Sequence, residues 1–231
     1  MRGTVTHSSL QKVIDHILTS GWDADLVAMT GDLIQDDSRE AYERFCESML
    51  PLALPVYCLP GNHDIRHMMK DALAGPEFHY CESVIHGAWL ITAIDSCIDG
   101  DAAGRVDDAE MDRLAQLLEE TTAEHVLVCL HHPPLPVGSK WLDQVGLRNG
   151  EEFLRLLTRT GKVRAAIFGH VHQAFEGSHE SIQIIGTPST CRQFKVASDE
   201  FALDDGPPAY RRVNLLADGS VDTELIWMSG E

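Results

Sequence analysis

No apolar run in the 231-residue chain approaches the roughly 18 residues of a membrane-spanning helix, so no membrane partner is expected. The opening Met1-Arg2-Gly3-Thr4-Val5-Thr6-His7 has no apolar h-region, and no secretory signal is expected either. The six cysteines (Cys46, Cys58, Cys81, Cys97, Cys129, Cys191) form no C-x-x-C pair. Most sit among apolar neighbours, which suits reduced, buried thiols in a cytoplasmic protein better than a disulfide framework. Basic residues are scarce: 18 Lys and Arg against 36 Asp and Glu give a formal charge of −18. That balance argues against a nucleic-acid binder, because the phosphate backbone rewards clustered Lys and Arg. There is no internal repeat and no low-complexity segment.

What remains is ordinary globular material, with 44% hydrophobic and 23% charged residues. The length suits one domain with a sizeable core, residues 1–231. Leu10, Val13, Ile14, Ile17 and Leu18 repeat with helical spacing behind Ser8/Ser9, which can cap the helix, and Gly21 would end it. Leu26 to Met29 reads as a buried strand. Ser38 opens a second helix, with Tyr42, Phe45, Cys46 and Met49 on one face, stopped at Pro51. Val56 to Leu59 is the next strand, followed by a turn at Gly61 and a short helix from about Ile65.

Further on, Ala88 to Ile94, Val126 to Leu130 and Ala165 to Phe168 read as strands. Helices are expected over Asp107 to Glu120 and from Asn149 to about Arg159, with a loop from Pro133 to Arg148. The last third changes character: Ile182 to Ile185, Tyr210 to Leu215 and Thr223 to Trp227 look like strands without intervening helices. Strand and helix alternating, then strands alone, predict an α/β fold with a mixed sheet or two packed sheets flanked by helices.

Four strings fall where strands end: Gly31-Asp32, Gly61-Asn62-His63-Asp64, His131-His132-Pro133-Pro134 and Gly169-His170-Val171-His172. Four strand ends on one sheet edge would gather a carboxylate, an amide and several imidazoles, the donors that Mn, Fe or Zn ions accept. Gly-Asp alone is a common turn. A turn needs Gly and Asn, however, and does not need His and Asp beside them, so the second string is far more specific. His131 is the expected ligand of the third string and His132 a structural residue. In the fourth, histidines at i and i+2 can address two neighbouring ions. His16, His86 and His125 are expected to pack. A bound divalent cation would also reverse the local sign of a strongly acidic protein at an anionic substrate.

The order of these strings resembles the calcineurin-like metallophosphoesterase superfamily. The stretches Ser139-Lys140-Trp141-Leu142-Asp143-Gln144, Leu147-Arg148-Asn149 and Thr187-Pro188-Ser189-Thr190-Cys191-Arg192-Gln193-Phe194 resemble, within it, the bacterial class III 3′,5′-cyclic-nucleotide phosphodiesterases. The resemblance implies a sandwich of two mixed sheets with helices outside and a binuclear centre at strand ends. It implies that Asp32 bridges the metals, that Asn62, His131 and His170 complete the second site, and that His172 belongs to the first. His63 matches the histidine that touches the phosphate and protonates the leaving 3′-oxygen, with Asn62, His63 and His172 on the substrate side. The implied reaction is in-line attack of a metal-held hydroxide on phosphorus. Asp36 is a candidate to orient His63; alternatively it is a solvated loop carboxylate.

Members of that superfamily open with a strand ending in Asp-x-His, which supplies the rest of the first metal site. No Asp-x-His precedes the first helix here, and His7, with no apolar strand before it, is no substitute. The fold is therefore expected to lack its first strand. The chain is expected to hold one divalent ion (Fe, Mn or Zn) or none, to turn over weakly, and to expose a sheet edge that invites self-association, with a homodimer possible. The leading expectation is a 3′,5′-cyclic AMP phosphodiesterase. The alternatives are a broader phosphodiesterase acting on glycerophosphodiesters or 2′,3′-cyclic nucleotides, and a non-catalytic nucleotide-binding paralogue. The Leu135 to Arg148 loop and the Thr187 to Phe194 segment are the candidates for substrate selection.

Overall fold

The computed structural model describes residues 3–228. Helix α1 (Thr6–Thr19) buries Ser9, Val13 and Ile14. It begins earlier than the Ser8/Ser9 signal suggested, because Ser9 does not cap it: its hydroxyl donates instead to the carbonyl of Thr190, at 2.7 Å. Strand β1 (Val27–Met29) leads to α2 (Arg39–Met49), which Ser38 caps by accepting the Ala41 N–H at 3.2 Å. A single 3₁₀ turn, Leu50–Leu52, carries the chain past Pro51. Strand β2 (Val56–Cys58), helix α3 (Arg66–Ala72) and strand β3 (Phe78–Tyr80) follow. The three strands form a parallel sheet in the order β1-β2-β3.

A larger sheet takes the middle of the chain. Its strands are β4 (Ser83–His86), β5 (Trp89–Ala93), β6 (His125–Leu130), β7 (Val163–Phe168), β8 (Phe175–His179) and β9 (Ile182–Gly186), in the order β4-β5-β6-β7-β9-β8. The inner four are parallel, and the edge strands β4 and β8 run antiparallel. Helix α4 (Asp108–Glu120) starts where Asp107 accepts the Glu110 N–H at 2.8 Å. The segment expected as a plain loop contains a short helix, α5 (Lys140–Asp143), ahead of α6 (Gly150–Thr158). Two small antiparallel pairs complete the described chain: β10 (Gln193–Phe194) with β11 (Leu203–Asp204), and β12 (Ala209–Leu215) with β13 (Val221–Trp227).

Successive strand residues point to opposite faces, and the larger sheet is apolar on both. Val126, Val128 and Leu130 of β6 pack with Leu114 and Leu118 of α4 and Phe153 and Leu157 of α6. Their neighbours Leu127 and Cys129 join Trp89, Ile91, Ile167 and Val221 on the other face, toward β12 and β13. The three-stranded sheet meets Ile14 of α1 and Tyr42, Phe45 and Met49 of α2. The result is an α/β fold of mixed sheets flanked by helices. Beyond β1, between the layers, lies a cavity of about 980 Å³.

Candidate metal centre

Strands β1, β2, β6 and β7 each end in one of the four polar strings, and the two sheets bring those ends together. The contact is direct: the Nδ1 of His131, after β6, lies 2.7 Å from the carbonyl oxygen of Thr30, after β1. A carbonyl only accepts, so Nδ1 carries the proton and the Nε2 lone pair faces the cluster. Close approach of the backbones makes this possible. A Cβ on Gly31 (φ +96°) would sit 2.5 Å from that Nδ1, and one on Gly169 would sit 2.7 Å from the Thr30 oxygen. Asp32, His170 and His172 all adopt positive φ (57°, 61° and 48°), conformations that cost free energy in residues with a Cβ and cluster at functional sites.

Three donor atoms converge. Asn62 Oδ1 lies 3.2 Å from His131 Nε2 and 3.0 Å from His170 Nδ1, and the two nitrogens are 3.1 Å apart. Asp32 Oδ2 is 3.5 Å from His131 Nε2. Donors held about 2.1 Å from one ion and at right angles to each other stand about 3.0 Å apart. The spacing fits a divalent ion, and so does the chemistry of one carboxylate, one amide oxygen and neutral imidazoles. Burial, then the neighbouring His131, holds the His170 pKa well below its ordinary value, and burial also lowers that of His172. Both imidazoles are therefore neutral near pH 7, the form in which a histidine can ligate a metal.

His172 is fixed from behind. Its Nδ1 lies 2.7 Å from the Arg192 carbonyl, which leaves Nε2 free to ligate, and its ring stacks parallel on Phe194 at 4.2 Å. Phe194 in turn meets Trp141 edge-on at 5.2 Å, so the two candidate substrate-selection segments touch beside the cluster. His63 sits exposed at the rim, its backbone N–H donating to Asp32 Oδ1 at 3.0 Å.

His132 holds its position through Nδ1, 2.9 Å from the Ser96 hydroxyl, as a structural residue would. It also stands beside the candidate ligands: His131, His132 and His170 offer atoms that could ligate within 4.8 Å of one another, and His132 Nε2 is buried without a partner. Asp36 does not reach His63. It is an exposed carboxylate that accepts from Arg44 at 2.9 Å and Ser38 at 3.3 Å. His16 and His125 pack elsewhere, against Tyr210 and Trp89, but His86 does not pack: it is exposed on the edge strand β4, 3.6 Å from the Asp25 carboxylate.

Sequence reasoning passed over Asp64, which ties the first two strings together. Its carboxylate accepts the N–H groups of Leu33 at 3.2 Å and Gly61 at 2.9 Å, and the hydroxyl of Tyr42 at 3.1 Å. Tyr42 itself accepts the Ile65 N–H at 2.8 Å. Burial raises the Asp64 pKa, and these hydrogen bonds pull it back. Its place inside the Gly-Asn-His-Asp string was a signal; its partner on α2 was not readable.

The calcineurin-like phosphoesterase family matches the chain over residues 5–174. The chain belongs to that family. Curated relatives named 3′,5′-cyclic adenosine monophosphate phosphodiesterase CpdA are similar over almost all of it. The Vibrio vulnificus protein is 37% identical over 221 residues, covering 95% of this chain and 81% of the relative. The Escherichia coli K12 protein is 36% identical over 224 residues, covering 96% and 82%. Among solved structures, a dimetal phosphatase from Danio rerio superposes with a TM-score of 0.65 at 15% identity, covering 96% of this chain and 89% of that one. A Thermus thermophilus protein gives 0.60, also at 15% identity, covering 94% and 92%. These likenesses confirm the fold of this phosphoesterase, a hydrolase whose family uses divalent metal ions. Among its described residues no helix is long and apolar enough to cross a membrane.

Proposed function

We propose that this phosphoesterase hydrolyses 3′,5′-cyclic AMP to 5′-AMP in the cytoplasm, the whole chain acting as one domain on a small-molecule phosphodiester. The observation that carries the reading is the convergence of Asn62 Oδ1, His131 Nε2 and His170 Nδ1 within 3.0–3.2 Å of one another, in a chain resembling relatives named for that reaction.

In this reading Asp32, Asn62, His131 and His170 would hold one divalent ion, and His172 with Asp32 forms the remnant of a second site. An ion held there would supply Lewis-acid polarisation of the phosphoryl oxygen and activation of water. Asn62 and His172 orient the phosphate. His63, on the open rim, delivers a proton to the departing 3′-oxygen. Phe194 keeps the His172 ring in place by stacking.

Metal analysis of the purified chain after loading with Mn²⁺ should return one tightly bound equivalent; two would contradict the one-ion reading. Assays with Mn²⁺ should show slow hydrolysis of 3′,5′-cyclic AMP in preference to bis(p-nitrophenyl) phosphate. Faster turnover of the aryl diester would support the broader phosphodiesterase instead. Metal binding with no hydrolysis of either compound would leave a nucleotide-binding paralogue.

A further inference from the structure

Beyond the His172 ring, three aromatic side chains touch one another. Phe194, which His172 stacks on at 4.2 Å, meets Trp141 at 5.2 Å and Phe201 at 5.4 Å, both edge-on. Trp141 and Phe201 close the set, edge-on at 5.2 Å. Trp141 belongs to α5, Phe194 to β10, and Phe201 to the turn between β10 and β11. Backbone bonds fix this hairpin to the centre: the Phe194 N–H donates to the His172 carbonyl at 3.1 Å, and the Lys195 N–H to that of Ala202 at 2.9 Å.

Trp141, Phe194 and Phe201 line the same cavity as Asn62, His63 and His172. Phe201 leaves 40% of its surface exposed, whereas Phe45, Phe78, Phe153 and Phe168 are buried. Joined to Trp141 and Phe194, it makes a continuous apolar surface that runs from the candidate ligands out to solvent. The polar side chains around that surface are already paired. Lys140 meets Asp199 at 2.6 Å, and the Gln173 amide donates to the Ser139 hydroxyl at 3.3 Å and the Lys195 carbonyl at 3.1 Å. The Trp141 Nε1 is buried with no hydrogen-bond partner. A buried, unpaired donor opposes folding, so the indole supplies ring area here and no polar contact.

We infer that Trp141 and Phe201 form the base-binding face of the site, on which a purine stacks while the phosphate of its nucleotide lies at the metal centre. The inference rests on the phosphodiesterase reading, which puts the phosphate beside Asn62 and His172. In a nucleotide the base leaves the ribose away from phosphorus, so it settles about a sugar's width from those residues. The face of Phe194 nearest the centre is taken by His172. Trp141 and Phe201 stand one ring further out, at the remove the base needs.

Stacking uses the π-face that every base has and reads none of its edge. With the neighbouring polar side chains committed to each other, adenine and guanine are held alike. The selection made here is for a purine against a phosphate that carries no base. Phe201 lies outside both segments that the sequence marks for substrate selection, because its contact with Trp141 spans the hairpin and α5.

Isothermal titration of the Mn²⁺-loaded protein with 5′-AMP, 5′-GMP and ribose 5-phosphate separates base from phosphate. AMP and GMP should bind within about threefold of each other, and each about 10- to 100-fold tighter than ribose 5-phosphate. Trp141→Ala and Phe201→Ala should each lower the ratio of AMP to ribose 5-phosphate affinity at least about fivefold, while Trp141→Phe keeps it within about threefold. Phe201 is exposed, so its variant tests the surface even where Trp141→Ala fails to fold. AMP bound no tighter than ribose 5-phosphate, or a ratio unchanged in Phe201→Ala, overturns the stacking face. So does a preference of about tenfold for AMP over GMP, which requires hydrogen bonds to the base edge. Hydrolysis is a separate readout. These ratios with no turnover of cyclic AMP would refute the phosphodiesterase and leave the stacking face; turnover without them would do the reverse.

Discussion

The Nδ1 of His170 lies 3.1 Å from the Nε2 of His131, although 39 residues separate them in the chain. They meet because they follow the adjacent parallel strands β7 and β6. The Nδ1–H of His131 is committed to Thr30, so its Nε2 presents a lone pair to its neighbour. Either the His170 Nδ1–H donates to that lone pair or a cation stands between the two nitrogens, and Asn62 Oδ1 adds a third donor atom to the same spot.

Removing one donor should cost the ion. His170→Ala is expected to weaken Mn²⁺ binding by at least about 100-fold, more than the loss of a residue that only supports a ligand. Isothermal titration against the unsubstituted protein measures it. Affinity within a factor of about three would exclude His170 as a ligand.

His63 should behave oppositely. Its side chain is exposed and its link to Asp32 runs through its backbone N–H, which alanine retains. His63→Ala is therefore expected to keep Mn²⁺ affinity within about threefold and to lower the turnover of cyclic AMP by about 10²–10⁴. An unchanged turnover number at saturating metal would remove the proton-donor role.

The Asp64 carboxylate accepts from two backbone N–H groups and a hydroxyl. In Asp64→Asn an NH₂ group must face one of those donors. The expected loss is about 1–3 kcal/mol in urea unfolding, together with weaker metal binding, because Gly61 and Leu33 flank Asn62 and Asp32. Wild-type stability with wild-type Mn²⁺ affinity would show that the carboxylate is not the tie.

The metal-free protein should lose stability in mild acid. Burial first, with His131 next for His132 and His170, lowers the pKa values of His132, His170 and His172 below the ordinary 6.5. The unfolded chain takes up these protons near pH 6.5 and the folded chain only below it, so stability complete above about pH 6.5 declines as the pH falls through that window. Asp64 and Asp95, raised above 3.8 chiefly by burial, work in the opposite sense at lower pH. Urea midpoints measured in a chelator at pH 7.5, 6.5 and 5.5 should fall in that order, with a flatter slope in His132→Gln. A midpoint constant across the range would refute the linkage.

Features that depend on near neighbours were legible in the chain. An apolar run followed by Gly and polar residues is a strand and its turn, so the ends of β1, β2, β6 and β7, and with them Asp32, Asn62, His131 and His170, were legible as candidate ligands. Ser38 and Asp107 cap their helices because a cap needs an N–H only three residues away. Everything else was settled by packing between distant segments. β3 (Phe-His-Tyr) and β4 (Ser-Val-Ile-His) mix polar with apolar residues and have no apolar run of the kind that marks β1 and β2. Ser9 abandoned its cap for Thr190, 181 residues distant, and Asp64 found Tyr42 on a packed helix. Contacts between residues this far apart exist only once the elements pack, so no pattern of near neighbours announces them.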